Sequence, residues 1–140
     1  MSDQLWDVIV ANNLGTLATI KRDGWPQLSD VNYTADAASR IIRISTRAPL
    51  AKTHNLRRDP RASLKVTGPG GAGYAVVEAT AELSPVATDR HDATVEELIE
   101  VYRLVQGKEH PDWDDYRRAM VDDERLVLRL SVERLYGWVM

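Results

Sequence analysis

One lysine and a cluster of arginines within a short stretch carry most of the chemistry that this sequence offers. Positions 47–65 hold six basic residues (Arg47, Lys52, Arg57, Arg58, Arg61 and Lys65) against a single acid, Asp59. In a chain of net charge −3, that is a local excess of five positive charges. The stretch lies between two strand-like runs, 40–45 and 62–67, and its middle reads as a short helix. Pro49 is the expected first helical residue, where a missing N–H costs nothing. Asp59-Pro60 closes the helix, because the residue before proline is pushed out of helical geometry. Backbone N–H groups at such a helix start, with Lys52 one turn on, can hold an anion. The same residues also read as a solvated surface helix with scattered arginines, and composition does not choose between the two.

The elements that must position these residues fit within 140 residues, which predicts a single domain over 1–140 with a real core. Hydrophobic content of 44% and charged content of 28% are those of an ordinary globular protein. No apolar run approaches the ~20 residues needed to span a bilayer. The first residues, Met-Ser-Asp-Gln-Leu-Trp-Asp, carry acids where a signal peptide has a basic region. A cytoplasmic protein without membrane attachment is therefore expected. The absence of cysteine excludes disulfides and thiolate chemistry, and His54, His91 and His110 lie too far apart for metal-site spacing. Positions 89–124 hold twelve acids and five bases, a local net of −7. Nucleic-acid binding wants a continuous basic face, so it is not expected here. The basic stretch suits one phosphate rather than a polyanion.

Periodicity outlines the fold. Leu5, Trp6, Ile9 and Val10 form one stripe of a helix over 3–12. Positions 14–20 read as a strand, Asp23-Gly24 as a hairpin turn, and 26–34 as the return strand. Further strands are expected at 41–45 and 62–67, and at 74–83 after the glycine-rich turn of 68–73. Thr94 and Glu97 form a capping box for a helix whose apolar face is Val95, Leu98, Ile99, Tyr102 and Val105, with Gly107 as its C-terminal cap. Asp112 caps a second helix carrying Trp113, Tyr116 and Met120 on one face. The last strands are expected at 126–130 and 135–139. Many sequential strands and few helices predict a mainly β fold, an antiparallel sheet closing into a small barrel.

Three segments, 15–29, 51–62 and 74–81, together with 113–120 and 135–137, resemble the pyridoxamine 5'-phosphate oxidase-like superfamily of flavin-binding split barrels. The similarity is strongest to its actinobacterial branch that uses the deazaflavin coenzyme F420, through the run Lys52-Thr-His-Asn-Leu-Arg-Arg-Asp-Pro-Arg61. The resemblance implies a six- to seven-stranded antiparallel split β-barrel with a few peripheral helices. It also implies a homodimer with the cofactor in a groove between subunits, for which Tyr136, Trp138 and the apolar strand 126–130 are the expected surface. Gln27, Leu28 and Ser29, with Asn32 further along, would meet the ring edge. Ser45, Thr46 and Arg47 would meet the linker and phosphate, and Lys52, set by Pro49, would bind the phosphate. Tyr136 and Trp138 would come from the second subunit, and Tyr74 would line the rim.

Related proteins often carry arginine one or two positions before the lysine, where this chain has Leu50 and Ala51. A terminal phosphomonoester such as that of FMN wants two or three cations, whereas the phosphodiester of F420 needs fewer. F420 is therefore expected, with FMN as the alternative and Arg47 or Arg57 as possible second cations. The implied activity is hydride transfer from the reduced deazaflavin to a flat, conjugated, electron-poor small molecule. No catalytic side chain and no metal are expected. A non-catalytic cofactor carrier, or a module that docks the basic helix on an acidic partner, would use the same residues. His54 reads as a surface histidine, Trp6 and Trp113 as core, Trp138 as an interface residue, and at least two of Arg57, Arg58 and Arg61 as structural. Glu78 and Glu82 share a strand face, with no partner carboxylate for acid–base work.

Overall fold

The computed structural model describes residues 2–139. Met1 and Met140, included in the single-domain expectation, lie outside them. The order of elements is α1 (Ser2–Val10), β1 (Leu14–Ile20), β2 (Pro26–Asn32), β3 (Thr34–Asp36), β4 (Ile41–Arg47), α2 (Ala51–Arg58), β5 (Arg61–Thr67), β6 (Tyr74–Leu83), α3 (Ala93–Gln106), α4 (Trp113–Asp122) and β7 (Arg125–Trp138). The strands form one sheet in the order β2-β1-β5-β6-β7-β4-β3, with every pairing antiparallel. β2 and β3 are joined through Tyr33 alone yet stand at opposite ends of that order, so the sheet has to curl until its edges approach. The result is the expected mainly β, seven-stranded split barrel with peripheral helices.

Alternation explains the interior. Burial along β1 and β4 switches with every residue, sending Leu17, Ile42 and Ile44 inward to meet Leu64, Val77 and Leu128. Trp6 and Ile9 of α1 and Leu56 of α2 join the same cluster. The expected stripe of α1 is corrected at one position: Val8 is buried, whereas Val10 is exposed. A second cluster lies on the outer face of the sheet, where Val127 of β7 meets Val95 and Leu98 of α3 and Tyr116 and Met120 of α4. Asp112 caps α4 by accepting from the Asp115 N–H, as expected, and Gly107 ends α3 in the left-handed region at φ 69°.

Several expected boundaries move. The strand 26–34 is broken at Tyr33, whose N–H donates to the Asn13 carbonyl and whose hydroxyl donates to the Ile9 carbonyl at 2.6 Å. Tyr33 is fully buried and burial pushes its phenol pKa up, so the side chain is drawn into the core and the ladder stops. The two final strands are one: Glu133 is the extra residue of a bulge, because Glu78 pairs with Arg134 while Ala79 pairs with Val132. The polar run that separated them in sequence is absorbed by the bulge. The capping box is also replaced. Asp92, not Thr94, caps α3 by accepting from the Val95 N–H, while the Thr94 hydroxyl donates to the Pro85 carbonyl.

Glu97, freed from capping, holds α3 to the sheet. It accepts from Arg129 Nε at 3.0 Å and from Arg129 Nη2, and lies 3.6 Å from Arg43. Arg43 also pairs with Glu100 and Arg129 with Glu82. The Arg129 hydrogen bonds, reinforced by its charge and that of Arg43, hold the Glu97 carboxyl below the usual carboxylate range. A depressed carboxyl stabilises the fold above its unfolded pKa of about 4.3, and that contribution is lost as pH falls through the folded value. Glu97→Gln is expected to cost about 1–3 kcal/mol at pH 7, the range for an unmade partner of a charged group. The gap from wild type should close below about pH 4. Denaturant melts of both proteins across pH check this, and a gap that persists in acid would contradict it.

Candidate functional site

The curled sheet does not close along β2 and β4, and α2 fills part of that seam. The sequence anchors α2 with polar side chains. Asn55, 7% exposed, donates from Nδ2 to Thr19 Oγ1 at 3.1 Å and to Gln27 Oε1 at 2.9 Å. Thr53 is fully buried, and its hydroxyl donates to the Arg47 carbonyl at 2.7 Å and lies 3.3 Å from the Thr46 hydroxyl. One side of the helix is thereby tied to β1 and β2 and the other to β4. The helix start is later than expected: Pro49 precedes it in the turn, Leu50 is the N-cap residue, and Lys52 lies in the first turn. Proline at 49 fixes the approach of the chain but supplies no helical position.

Beside this first turn opens a cavity of about 390 Å³. Its floor is Asn32 from β2 and Ser45 and Thr46 from β4, with Lys52 and Leu50 at one end. Its far wall is Val101, Tyr102 and Val105 of α3 with Tyr116 and Met120 of α4, and Arg125 of β7 also lines it. Volume does not single the cavity out, since a concavity of about 410 Å³ between β1, β5 and β6 is lined by Arg61, Glu78, Glu133 and Arg134. Charge does. In that second concavity Glu78 meets Arg134, and Arg61 is paired outside it with Asp59. In the first, neither Lys52 nor Arg125 has an ion pair among the described residues. The lining combines apolar side chains and these two cations with one carboxylate, Asp30, which accepts from the Thr16 hydroxyl. Two cations without ion pairs in a cavity of this size suit a small anionic ligand.

The aromatic wall is closely packed. Tyr102, His110, Trp113 and Tyr116 pack with ring centroids 5.2–5.7 Å apart. Trp113 is therefore half-buried in this cluster rather than in the barrel core. Tyr116 donates to the Leu98 carbonyl at 3.0 Å, and burial pushes its phenol up to about 12 although the Arg125 charge pulls it down.

Of the residues singled out from sequence, Asn32, Ser45, Thr46 and Lys52 converge on this one cavity. Leu28, Tyr74 and Tyr136 instead line a separate concavity of about 380 Å³ with Val76 and Lys65. Trp138 pairs across the ladder with Tyr74 and is exposed. Gln27 points to α2, and Ser29 shares its face of β2. Arg47 donates from Nε to the Asp123 carbonyl. Arg58 donates to the Ile20 carbonyl and Arg61 to Asp59, so two of Arg57, Arg58 and Arg61 are structural, as expected. His54 is exposed and Trp6 is buried, also as expected. Glu78 and Glu82 bind arginines. The apolar strand 126–130, read as part of a dimer surface, is corrected: Leu126, Leu128 and Leu130 are fully buried in the barrel and Val127 under α3 and α4. Arg125 and Tyr102 were missed, because only the sheet register and the packing of α3 bring them to the seam.

Known proteins share this architecture. The family model of pyridoxamine 5'-phosphate oxidase matches residues 1–139. A conserved hypothetical protein of Mycobacterium tuberculosis superposes with a TM-score of 0.75 at 25% identity, over 99% of this chain and 84% of that one. An F420 reductase aligns with a TM-score of 0.69 at 18% identity, over 93% and 94% of the two chains. A FAD-binding protein of Mesorhizobium loti gives 0.68 at 22% identity, over 98% and 91%. The curled antiparallel sheet agrees with the sequence match over residues 1–139, and the chain belongs to the pyridoxamine 5'-phosphate oxidase family.

Proposed function

We propose that this chain is an F420-dependent oxidoreductase that passes a hydride from the reduced cofactor to a conjugated, electron-poor small molecule. The carrying observation is the seam cavity, where Lys52 and Arg125 have no carboxylate partner among the described residues and stand beside the Ser45 hydroxyl and an aromatic wall. These residues fit a flavin-type cofactor bearing a phosphate. Lys52 and Arg125 would hold the anion, and Val101, Tyr102 and Met120 would keep water from it. β2 is an edge strand, so half its backbone N–H and C=O groups face the seam and can bond a ring edge. When bound, a reduced deazaflavin supplies the hydride from its central ring carbon, so the protein's part is to orient an acceptor against that face. No side chain is assigned proton transfer. The F420 reductase among the structural neighbours supports this reading.

The homodimer belongs to the same proposal. Leu28, Tyr74, Tyr136 and Trp138 are 65%, 37%, 49% and 57% exposed. Large aromatic and aliphatic side chains left together on one face suit an interface between copies. Light scattering should give a dimer, and a 15.7 kDa monomer with cofactor still tightly bound would contradict it.

An FMN-binding oxidase or reductase is the second reading. Arg125 favours it, because a second cation beside Lys52 suits a phosphomonoester dianion. The FAD-binding neighbour points the same way. Oxidation of reduced F420 in the presence of enones, quinones or unsaturated lactones tests the enzyme reading; bound cofactor that no acceptor oxidises would indicate a carrier.

A further inference from the structure

We infer that Arg125 is the second cationic arm of the seam, gripping with Lys52 an oxygen anion of the bound ligand, a phosphate ester. The identity of the ligand rests on the proposed cofactor reading, whereas the anion site rests on the placement of Arg125 itself.

Arg125 opens β7 and stands opposite Arg47 in the β4–β7 register, so two guanidinium groups rise from the same face of neighbouring strands. Like charges directly opposite destabilise a sheet. Arg47 relieves its side by donating to the Asp123 carbonyl at 3.2 Å. Arg125 does not. Among the described residues its guanidinium has one hydrogen bond, to the Ser45 hydroxyl at 3.5 Å, the long limit for such a bond. Its Nε is buried and is the sole buried side-chain polar atom without a partner among the described residues.

The neighbouring charges make this arrangement specific. Four residues along the ladder on the same face, Arg43 and Arg129 are engaged by Glu97, Glu100 and Glu82. Asp122, Asp123 and Glu124 immediately precede Arg125, yet none of them pairs with it: Asp122 binds Arg118, and Asp123 gives its backbone carbonyl to Arg47. The carboxylate on the cavity lining is Asp30, across the seam on β2, where it accepts from the Thr16 hydroxyl. A buried donor left unmade is expensive, and such strain is retained where a ligand relieves it. An arriving phosphate would complete the Arg125 hydrogen bonds, with Lys52 beside it as a point charge. The guanidinium thus takes the place of the arginine missing at positions 50 and 51.

The test compares two ligands that differ at the phosphate: F420 and its deazaflavin riboside, which lacks the phosphate and tail. Arg125→Gln should weaken F420 by about ten- to a hundred-fold, the span for a charged hydrogen bond. It should leave the riboside within about twofold, and Arg125→Lys should fall between. The salt dependence of F420 binding should flatten in Arg125→Gln. Its melting temperature should hold or rise, because an unsatisfied cation opposite Arg47 is removed. Equal losses for both ligands, or an unchanged F420 affinity, would overturn the inference. Should wild type ignore F420, the cofactor reading fails, and FMN against riboflavin is then the probe pair. If the phosphorylated member again gains nothing over its partner in wild type, the anion site itself is refuted.

Discussion

Gly137→Ala is expected to lower stability by about 2–5 kcal/mol, adding a strained backbone conformation to an overpacked contact. Gly137 lies inside β7 with φ 145°, a conformation that residues with a side chain rarely adopt. It pairs with Ala75, and a Cβ there would press on the Tyr74 carbonyl oxygen and come within 3.0 Å of the Ala75 Cα. Both obstacles are backbone, so no rotamer change relieves them. The β6–β7 ladder would have to separate at the end that carries Tyr74, Tyr136 and Trp138, next to the fully buried Ala75 and Val77. Denaturant unfolding reads the loss directly. A change below about 0.5 kcal/mol, typical of a neutral surface site, would mean that the ladder is looser than this register requires.

Lys52→Ala should weaken cofactor binding by about ten- to a hundred-fold with little change in stability. Lys52 is half-buried, lines the seam cavity and has no ion pair among the described residues, so no fold contact is lost with its charge. Alanine also suits the first turn of α2. Isothermal titration and thermal melts of the same sample separate the two effects. Unchanged affinity would move the anion away from Lys52; a large loss of stability would make the lysine structural.

Much of the fold was legible because turn chemistry brackets the strands. The runs 14–20 and 74–83 coincide with β1 and β6, each bordered on one side by a glycine-containing turn. Where the sequence misled, a tertiary contact outweighed a local pattern. Tyr33 alternates correctly with its neighbours, but its hydroxyl finds the Ile9 carbonyl and ends β2 early. Thr94 and Glu97 have capping-box spacing, but Pro85 and Arg129 compete for them and Asp92 takes the cap. Leu126 and Leu128 look like an unclaimed apolar edge until β4 and β6 cover both sides of β7.

The candidate site was half legible. Asn32, Ser45, Thr46 and Lys52 come from segments that a motif marks, and they meet in one cavity. Arg125 carries no such mark. It ends an acidic run, where local reading pairs it with Asp122, Asp123 or Glu124, and only the register against Arg47 reveals that it does not pair. Its position also changes the argument on cofactor choice. The cation shortage that favoured a diester over FMN is eased, so the preference for F420 rests on the Lys52–Arg61 run and on the longer anionic tail.

That preference can be measured directly by titrating the purified protein with F420 and with FMN at low and high salt. F420 is expected to bind more tightly, with the difference shrinking as salt screens the tail carboxylates from exposed cations such as Arg57. Protein that purifies yellow with one FMN per chain and takes up no F420 would contradict it.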